Sequence, residues 1–286
     1  MKSIMNEPLI TIITPTYNRA DLLPETVDSL LGQRFADFEY LIVDDGSSDD
    51  TAAVLARYRD PRLRVLCQDN QGEVAATNRG WSEARGRYVA IVSSDDPMHP
   101  LWLGAMVNAL ECRPEAVVAY PDWAILDGRG GVRRVVRTRH HARAVMIADF
   151  QAQPGPGCLI RKSAGDRLSP PRRPRFRYCA DLDMWLRLSL LGPFVRVPRV
   201  LANWREHDGS ISVAERTPRR AAELVTLARD FFAREDLPEE LAGLARDGLA
   251  SAHGLASWVV RDSDPSLAGD YLARATALGY DGRFHR

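Results

Sequence analysis

Two acidic pairs each close an apolar run: Asp44-Asp45 follow Tyr40–Val43, and Asp95-Asp96 follow Tyr88–Val92 by two serines, Ser93 and Ser94. Four or five consecutive apolar, β-branched-rich residues read as a buried strand of a parallel sheet. Carboxylates just after such strands lie at the carboxyl edge of the sheet, where open α/β sheets take their ligands. They repel a bare anion there. They suit ribose hydroxyls, or a divalent cation that in turn holds phosphates. The loop after the first apolar run, Pro15-Thr16-Tyr17-Asn18-Arg19, adds an aromatic face for a base and a guanidinium for a phosphate. Each piece alone also has an ordinary structural reading. DDGSSDDT is an Asp/Gly/Ser turn in which Asp50 or Thr51 caps a helix and Gly46 serves the turn geometry. PTYNR is a helix entrance.

The elements that would position these residues repeat as strand and helix. Leu9–Thr14 is a strand that Pro15 ends. Asp21 caps the next helix, with Pro24 near its start and Leu22, Val27, Leu30 and Leu31 on its apolar face. Strands are predicted at Phe38–Val43, Leu63–Leu66 and Tyr88–Val92, with helices at Thr51–Tyr58 and about Val74–Ala84 between them. Short connections in this order argue for a parallel sheet covered on both faces, with right-handed crossovers. A helix at Trp102–Leu110 and a strand at Ala116–Tyr120 follow, and Asp127–Gly131 is a turn able to join two strands. Residues 132–178 are Arg-, Pro- and Gly-rich and poor in regular pattern. Leu182–Leu191 is an amphipathic helix ended by Gly192, and Val195–Val200 is a strand. From Pro218, Ala and Leu at helical spacing dominate 219–233, 238–260 and 265–278. The expected organisation is an α/β domain over 1–214, with a nucleotide-binding half to about 100 and an acceptor half beyond it. A helical appendage over 215–286 completes the chain.

Bulk numbers exclude several classes. Lys+Arg and Asp+Glu both count 38 in 286 residues, so no net field attracts nucleic acid. The four cysteines show no CxxC or Cys/His metal spacing, and no secretory pattern is visible. Reduced thiols in a cytoplasmic protein are therefore expected. No apolar stretch approaches the ~20 residues needed to span a bilayer. The Arg-rich stretches leave room for peripheral contact with an anionic membrane at its inner face.

In order and spacing, TPTYNR at 14–19, VDDGSSDDT at 43–51, NQGEVAATNRGWSEARGRYVAIVSSDD at 70–96, ADLDMWLRL at 180–188 and NWREHDGSIS at 203–212 resemble the glycosyltransferase family 2 enzymes. The resemblance covers about residues 9–212. It implies the GT-A fold, a mostly parallel Rossmann-like sheet flanked by helices, and an inverting transfer from a nucleotide-diphospho-sugar, taken as a UDP-sugar, to a glycan or lipid-linked hydroxyl. Thr14, Pro15, Tyr17 and Arg19 would touch the base and diphosphate, and Asp44 and Asp45 the uracil and ribose. Arg79, in the Asn78-Arg79-Gly80 segment, would lie near the diphosphate, and Ser94 joins the donor-binding set. The family commonly reads Asp-x-Asp where this chain has Ser93-Ser94-Asp95-Asp96. Asp95 takes the position of the direct ligand for Mg²⁺ or Mn²⁺, with Asp96 assisting. Ser93 carries no charge, which weakens the site. Family members often have Glu-Asp where Ala180-Asp181 stand, so Asp181 falls at the catalytic base. Asp183, two residues on, is accounted for by helix capping and the helix dipole. Arg205 and His207 match a segment that closes over the diphosphate, with His207 a further metal ligand. Read from the residues themselves, Gly155, Gly157 and Cys158 are small enough to let donor sugar and acceptor approach the backbone, or they belong to a Pro/Gly-rich surface loop.

Two other readings remain open at the level of sequence. A nucleotidyltransferase shares the architecture but carries a Gly-rich basic loop after the first strand, which PTYNR is not. A degenerate sugar-nucleotide binding protein would be consistent with Ser93 and Ala180.

Overall fold

The computed structural model describes residues 7–152, 154–207, 209 and 216–285. In chain order the elements are β1 (Ile10–Thr16), α1 (Leu23–Leu31), β2 (Phe38–Asp44), α2 (Thr51–Leu55), β3 (Leu63–Cys67), α3 (Glu73–Glu83), β4 (Tyr88–Ile91), α4 (Trp102–Glu111), β5 (Val118–Leu126), β6 (Val132–Val136), α5 (Arg143–Asp149), β7 (Leu159–Arg161), α6 (Lys162–Gly165), α7 (Ala180–Ser189) and β8 (Phe194–Arg205). The helices α8 (Pro218–Phe232), α9 (Glu239–Ala242), α10 (Ala245–Val260) and α11 (Pro265–Ala277) follow. No helix of the described residues is long and apolar enough to cross a membrane.

All strands join one sheet in the order β3-β2-β1-β4-β7-β5-β6, with β8 paired to β5. β1, β2, β3 and β4 are parallel, and β7 enters antiparallel to both β4 and β5. Parallel pairing fits the sequence, because β1 and β2 are buried along their whole length and must be apolar on both faces. One layer of the core joins Ile10, Ile12, Tyr40, Ile42, Tyr88 and Ala90 of the sheet to Leu23, Val27 and Leu30 of α1 and to Trp102, Leu103 and Met106 of α4. β1 lies between β2 and β4, so the strand order reverses between β1 and β4. That switch point is where a crevice opens at the carboxyl edge.

Several elements depart from the sequence expectation for identifiable reasons. β1 does not stop at Pro15 but runs to Thr16, with Pro15 opposite Val43. β4 pairs with β1 only as far as Ile13, so Pro15 faces no second strand that would need its missing N–H. Asp21 does not cap α1, whose N-cap is Leu22 with no side-chain bond. Asp50 does not cap α2 with its side chain either; Asp49 accepts the Thr51 N–H at 3.0 Å instead. Asp127–Gly131 does join β5 and β6 as an antiparallel hairpin. The pattern-poor 132–178 segment holds β6, α5, β7 and α6. β7 is three residues long, too short to show a period, and is defined by distant partners such as Ala90 opposite Leu159.

The chain divides into two compact units. The first, Met1–His140, Pro154–Pro174 and Leu188–Glu206, contains the sheet. The second is not a simple carboxyl-terminal appendage. It gathers His141–Gln153 and Arg175–Arg187 together with His207–Arg286. Its helices carry ordinary start signals: Thr217 accepts from Arg220 N at α8, and Asp264 accepts from Leu267 N at α11, each with Pro next in sequence. The expected helix 238–260 is interrupted into α9 and α10 by Gly243-Leu244, a weak helix former falling at the break. Ser251 Oγ donates to Ala148 O at 2.7 Å and ties α5 to α10.

Candidate active site

The carboxyl ends of β1, β2 and β4 lie side by side: Thr16 is opposite Asp44, and Ile13 is opposite Ile91. This brings the 16–19 loop, Asp44-Asp45 and Ser93–Asp96 to one edge. The first two loops are laced together. Asn18, in the left-handed region at φ 50°, accepts the Ser48 N–H on its Oδ1 at 2.8 Å and donates its own N–H to Ser47 Oγ at 2.9 Å. Arg19 N donates to Thr51 Oγ1 at 3.0 Å. Tyr17 is left as an exposed aromatic at 45%. Thr14 faces the core instead, where its hydroxyl accepts from Tyr40 at 3.1 Å. Pro15 is buried beside it. Thr16 was not singled out in the sequence, yet its buried Oγ1 has no hydrogen-bond partner among the described residues.

The two acids after β2 are buried and engaged. Asp44 accepts Ser47 N at 3.0 Å. Asp45 accepts Gln68 Nε2 at 2.7 Å, Gln71 N at 2.9 Å and Gly72 N at 2.7 Å, and so fixes the loop that starts α3. Gly46 between these loops has φ 76°, and a Cβ there would meet Asn70 N at 2.9 Å. On α3, Arg79 reaches back to Cys67 O at 2.7 Å, and Asn78 holds Arg172 by reciprocal bonds of 2.7 and 3.1 Å. Gly155 and Gly157 are small because Trp123 and Ala202 stand against them, where a Cβ would come within 2.4 and 2.5 Å. Their size serves packing.

After β4, Ser93 is exposed, Ser94 buried, Asp95 half-buried and Asp96 buried. Asp96 accepts the Arg205 amide at 2.8 Å, which pins the end of β8 to the end of β4. Burial, reinforced by the neighbouring Asp95 charge, holds the Asp96 carboxyl well above the usual carboxylate range. The Arg205 guanidinium is buried as well. Its Nε donates to Asp95 O at 3.0 Å, and its Nη2 pairs with Glu25 at 2.5 Å. Arg205 thus grips the main chain of the acidic loop from within. Neither Glu25 nor this inward role was legible in sequence. Asp95 remains the accessible carboxylate of the cluster.

Asp181 and His207 belong to the second unit. Asp181 is exposed in the first turn of α7, and its Oδ1 accepts Leu182 N at 2.7 Å. Asp183 is fully buried and is held by more than helix capping. It pairs with Arg187 through Nε at 3.0 Å and Nη2 at 2.8 Å. The half-buried His207 accepts Gly209 N on its Nδ1 at 3.1 Å. A residue missed from sequence, Glu223, accepts the amides of Arg177 and Tyr178 just ahead of α7. Its readable signal was an acid at a buried position on the apolar face of α8, beside Leu224 and Leu227.

The donor set suits a hard divalent cation in part. Asp95 offers carboxylate oxygen at the sheet edge, and the carboxyl of Asp96 beside it is one that an added positive charge would help ionise. Among the described residues no three His, Cys, Asp or Glu side chains form a metal cage. Mg²⁺ and Mn²⁺ need none where substrate phosphates and water complete the shell.

The chain matches the family model described as "Glycosyl transferase family 2" over residues 11–163, just over half its length. It is 42% identical over 210 residues to TuaG of Bacillus subtilis (strain 168), a glycosyltransferase named for teichuronic acid biosynthesis; the match covers 72% of this chain and 82% of that one. It is 36% identical over 124 residues to the succinoglycan biosynthesis protein ExoO of Rhizobium meliloti (strain 1021), covering 43% and 36%. Among solved structures it superimposes on S. aureus TarS 1-349 in complex with UDP-GlcNAc with a TM-score of 0.71 and 19% identity, covering 96% of this chain and 89% of that one. The mannosyltransferase PcManGT from Pyrobaculum calidifontis, in complex with GDP-Man and Mn²⁺, gives a TM-score of 0.64 at 18% identity, covering 96% and 77%. Sheet order and these superpositions define the GT-A fold. The chain belongs to glycosyl transferase family 2.

Proposed function

We propose that this glycosyltransferase moves a sugar from a nucleotide-diphospho-sugar, taken as a UDP-sugar, to a hydroxyl of a glycan or lipid-linked glycan, with inversion. The observation that carries the reading is the gathering of Tyr17, Arg19, Asp44-Asp45 and Asp95-Asp96 at one switch-point edge. Structural neighbours solved with UDP-GlcNAc and with GDP-Man support the donor class, and relatives named for polysaccharide synthesis support the acceptor class.

Tyr17 stacks on the base, and Arg19 pairs with phosphate. Asp45, with its loop already ordered, sets the wall against which ribose rests, and Arg79 lies on the diphosphate side. Asp95 would hold Mg²⁺ or Mn²⁺, with His207 as a further ligand, and the ion would offset the diphosphate charge. Arg205 acts from below: it fixes the Asp95 carbonyl and so the loop that Asp95 sits on. Asp181 is the base. One carboxylate oxygen is held by its own helix, and Oδ2 accepts no hydrogen bond among the described residues, so it can take the acceptor hydroxyl proton as that oxygen attacks the anomeric carbon.

A thermal-shift panel of nucleotides and nucleotide-sugars, with and without Mn²⁺, tests donor and metal together. Asp181→Asn is expected to abolish transfer while leaving nucleotide binding by titration within a few-fold of wild type. Full activity in that variant refutes the base assignment. Nucleotide binding with no turnover on any acceptor, in the unaltered protein, establishes a binding module instead.

A further inference from the structure

We propose that Glu223 is a positioning residue for Asp181: its carboxylate, on α8, clamps the chain where it enters α7. The inference rests on the reading of Asp181 as the base. Both Glu223 oxygens accept Arg177 N at 3.0 Å, and Oε2 also accepts Tyr178 N at 2.8 Å, with Cys179 Sγ at 3.7 Å. These amides belong to the residues immediately before α7, which starts at Ala180. They have no partner within the helix, and a carboxylate suits that positive end. The Glu223 side chain is itself buried, so water does not substitute for it. Cys179 reports the same crowding. Its thiol is pushed strongly up, first by burial and then by the charges of Glu223 and Asp181, which places both carboxylates around one side chain.

The rest of α7 is fixed by packing. Leu182, Met184, Leu186 and Leu188 are buried, and Asp183 is locked to Arg187. Asp181 has none of that support: it is exposed and, among the described residues, its carboxylate is bonded only to its own neighbour's amide. The direction of its carboxylate is therefore set by the backbone at 177–180, which Glu223 holds. A base displaced by about 1 Å loses on the order of a hundredfold in rate. The geometry gives the carboxyl-terminal helices a task in the chemistry.

Glu223→Gln keeps the volume but leaves one acceptor oxygen and turns an NH₂ toward an amide. In the full-length, ligand-free variant, the Arg177 and Tyr178 amides are expected to exchange hydrogen at least tenfold faster than wild type, while the melting curve stays cooperative. Turnover is read as nucleoside diphosphate released from UDP-GlcNAc, UDP-glucose or GDP-mannose with Mn²⁺. There kcat is expected to fall 10- to 100-fold with the donor KM within twofold. Adding Glu223→Gln to Asp181→Asn is expected to cost nothing further. Unchanged exchange at 177–178, an unchanged kcat, or a further drop of the same factor in the double variant overturns the proposal. Full activity of Asp181→Asn overturns the base reading and the positioning role with it, while the exchange rates still show whether the clamp exists.

Discussion

The Asp183–Arg187 pair allows a stability prediction with a built-in pH signature. Both side chains are almost fully buried, at 1% and 7% exposure. Arg187→Met keeps the length of the side chain and removes the charge that faces Asp183 at 2.8 Å, so the buried carboxylate is less well compensated and is driven towards taking up a proton. Protonating a carboxyl of ordinary pKa at neutral pH costs about 4 kcal/mol at pH 7 and about 1.5 kcal/mol at pH 5. That choice caps the penalty and agrees with the ~3–5 kcal/mol found when one partner of a buried pair is removed. Losing the guanidinium penalises the charged form of a buried carboxyl, so the variant is expected to be least affected below about pH 4 and to lose up to about 1.4 kcal/mol per unit as pH rises above it. Urea unfolding at pH 5 and pH 7, followed by helical circular dichroism, reads the difference. A fall of roughly 10 °C in melting temperature at pH 7 is the thermal counterpart. Replacing both partners, Asp183→Leu with Arg187→Met, is expected to recover most of the loss. A penalty that is the same at both pH values, or below about 1 kcal/mol at pH 7, refutes the argument by showing that water reaches Asp183.

Two further outcomes follow from the first unit. Glu39 is raised by burial but lowered further by the Arg85 side chain and amide and by the Thr11 hydroxyl, so its folded pKa lies below the usual value. Its contribution is present above about pH 4.5 and fades as pH falls through the lowered value; melts of Glu39→Gln against wild type from pH 3.5 to 7 are expected to converge at the acid end. At Gly80 a Cβ would lie 2.4 Å from Ile13 Cγ2, where α3 crosses β1. Gly80→Ala is expected to cost about 1–3 kcal/mol in urea unfolding, partly recovered by Ile13→Ala.

The parallel half of the sheet was readable because its strands are whole apolar runs and its connections are local. Tyr40–Val43 and Tyr88–Val92 announce themselves, and their acids follow. The antiparallel half was not readable. β7 is defined by Leu159 meeting Ala90 and Ala119, contacts that no local period encodes. The same limit applies to side chains. Sequence gives Arg205 a position and a charge, but whether it points at a ligand or at Glu25 and the Asp95 carbonyl depends on where α1 and β4 pack. Asp45 shows the reverse case. Its place at the edge was evident, while its three bonds to the 68–72 loop needed the fold. Asp181 and Asp183 differ by two positions in sequence, and only the helix turns one outward and the other onto Arg187.

The scattered make-up of the second unit has a consequence for the order of synthesis. A chain leaves the ribosome amino end first, at about 5–20 residues per second. The segment that becomes α7 emerges well before Glu223, so its leading amides wait roughly 2–9 s for the carboxylate that takes them. Within the sheet, β2 and β3 each follow their neighbour after one helical connection, while β4 joins β1 only after β2 and β3 have been made. The edge formed by β1, β2 and β4 is thus complete within the first third or so of the chain, and the turn that carries Asp181 is fastened only after about three quarters of the chain has been made.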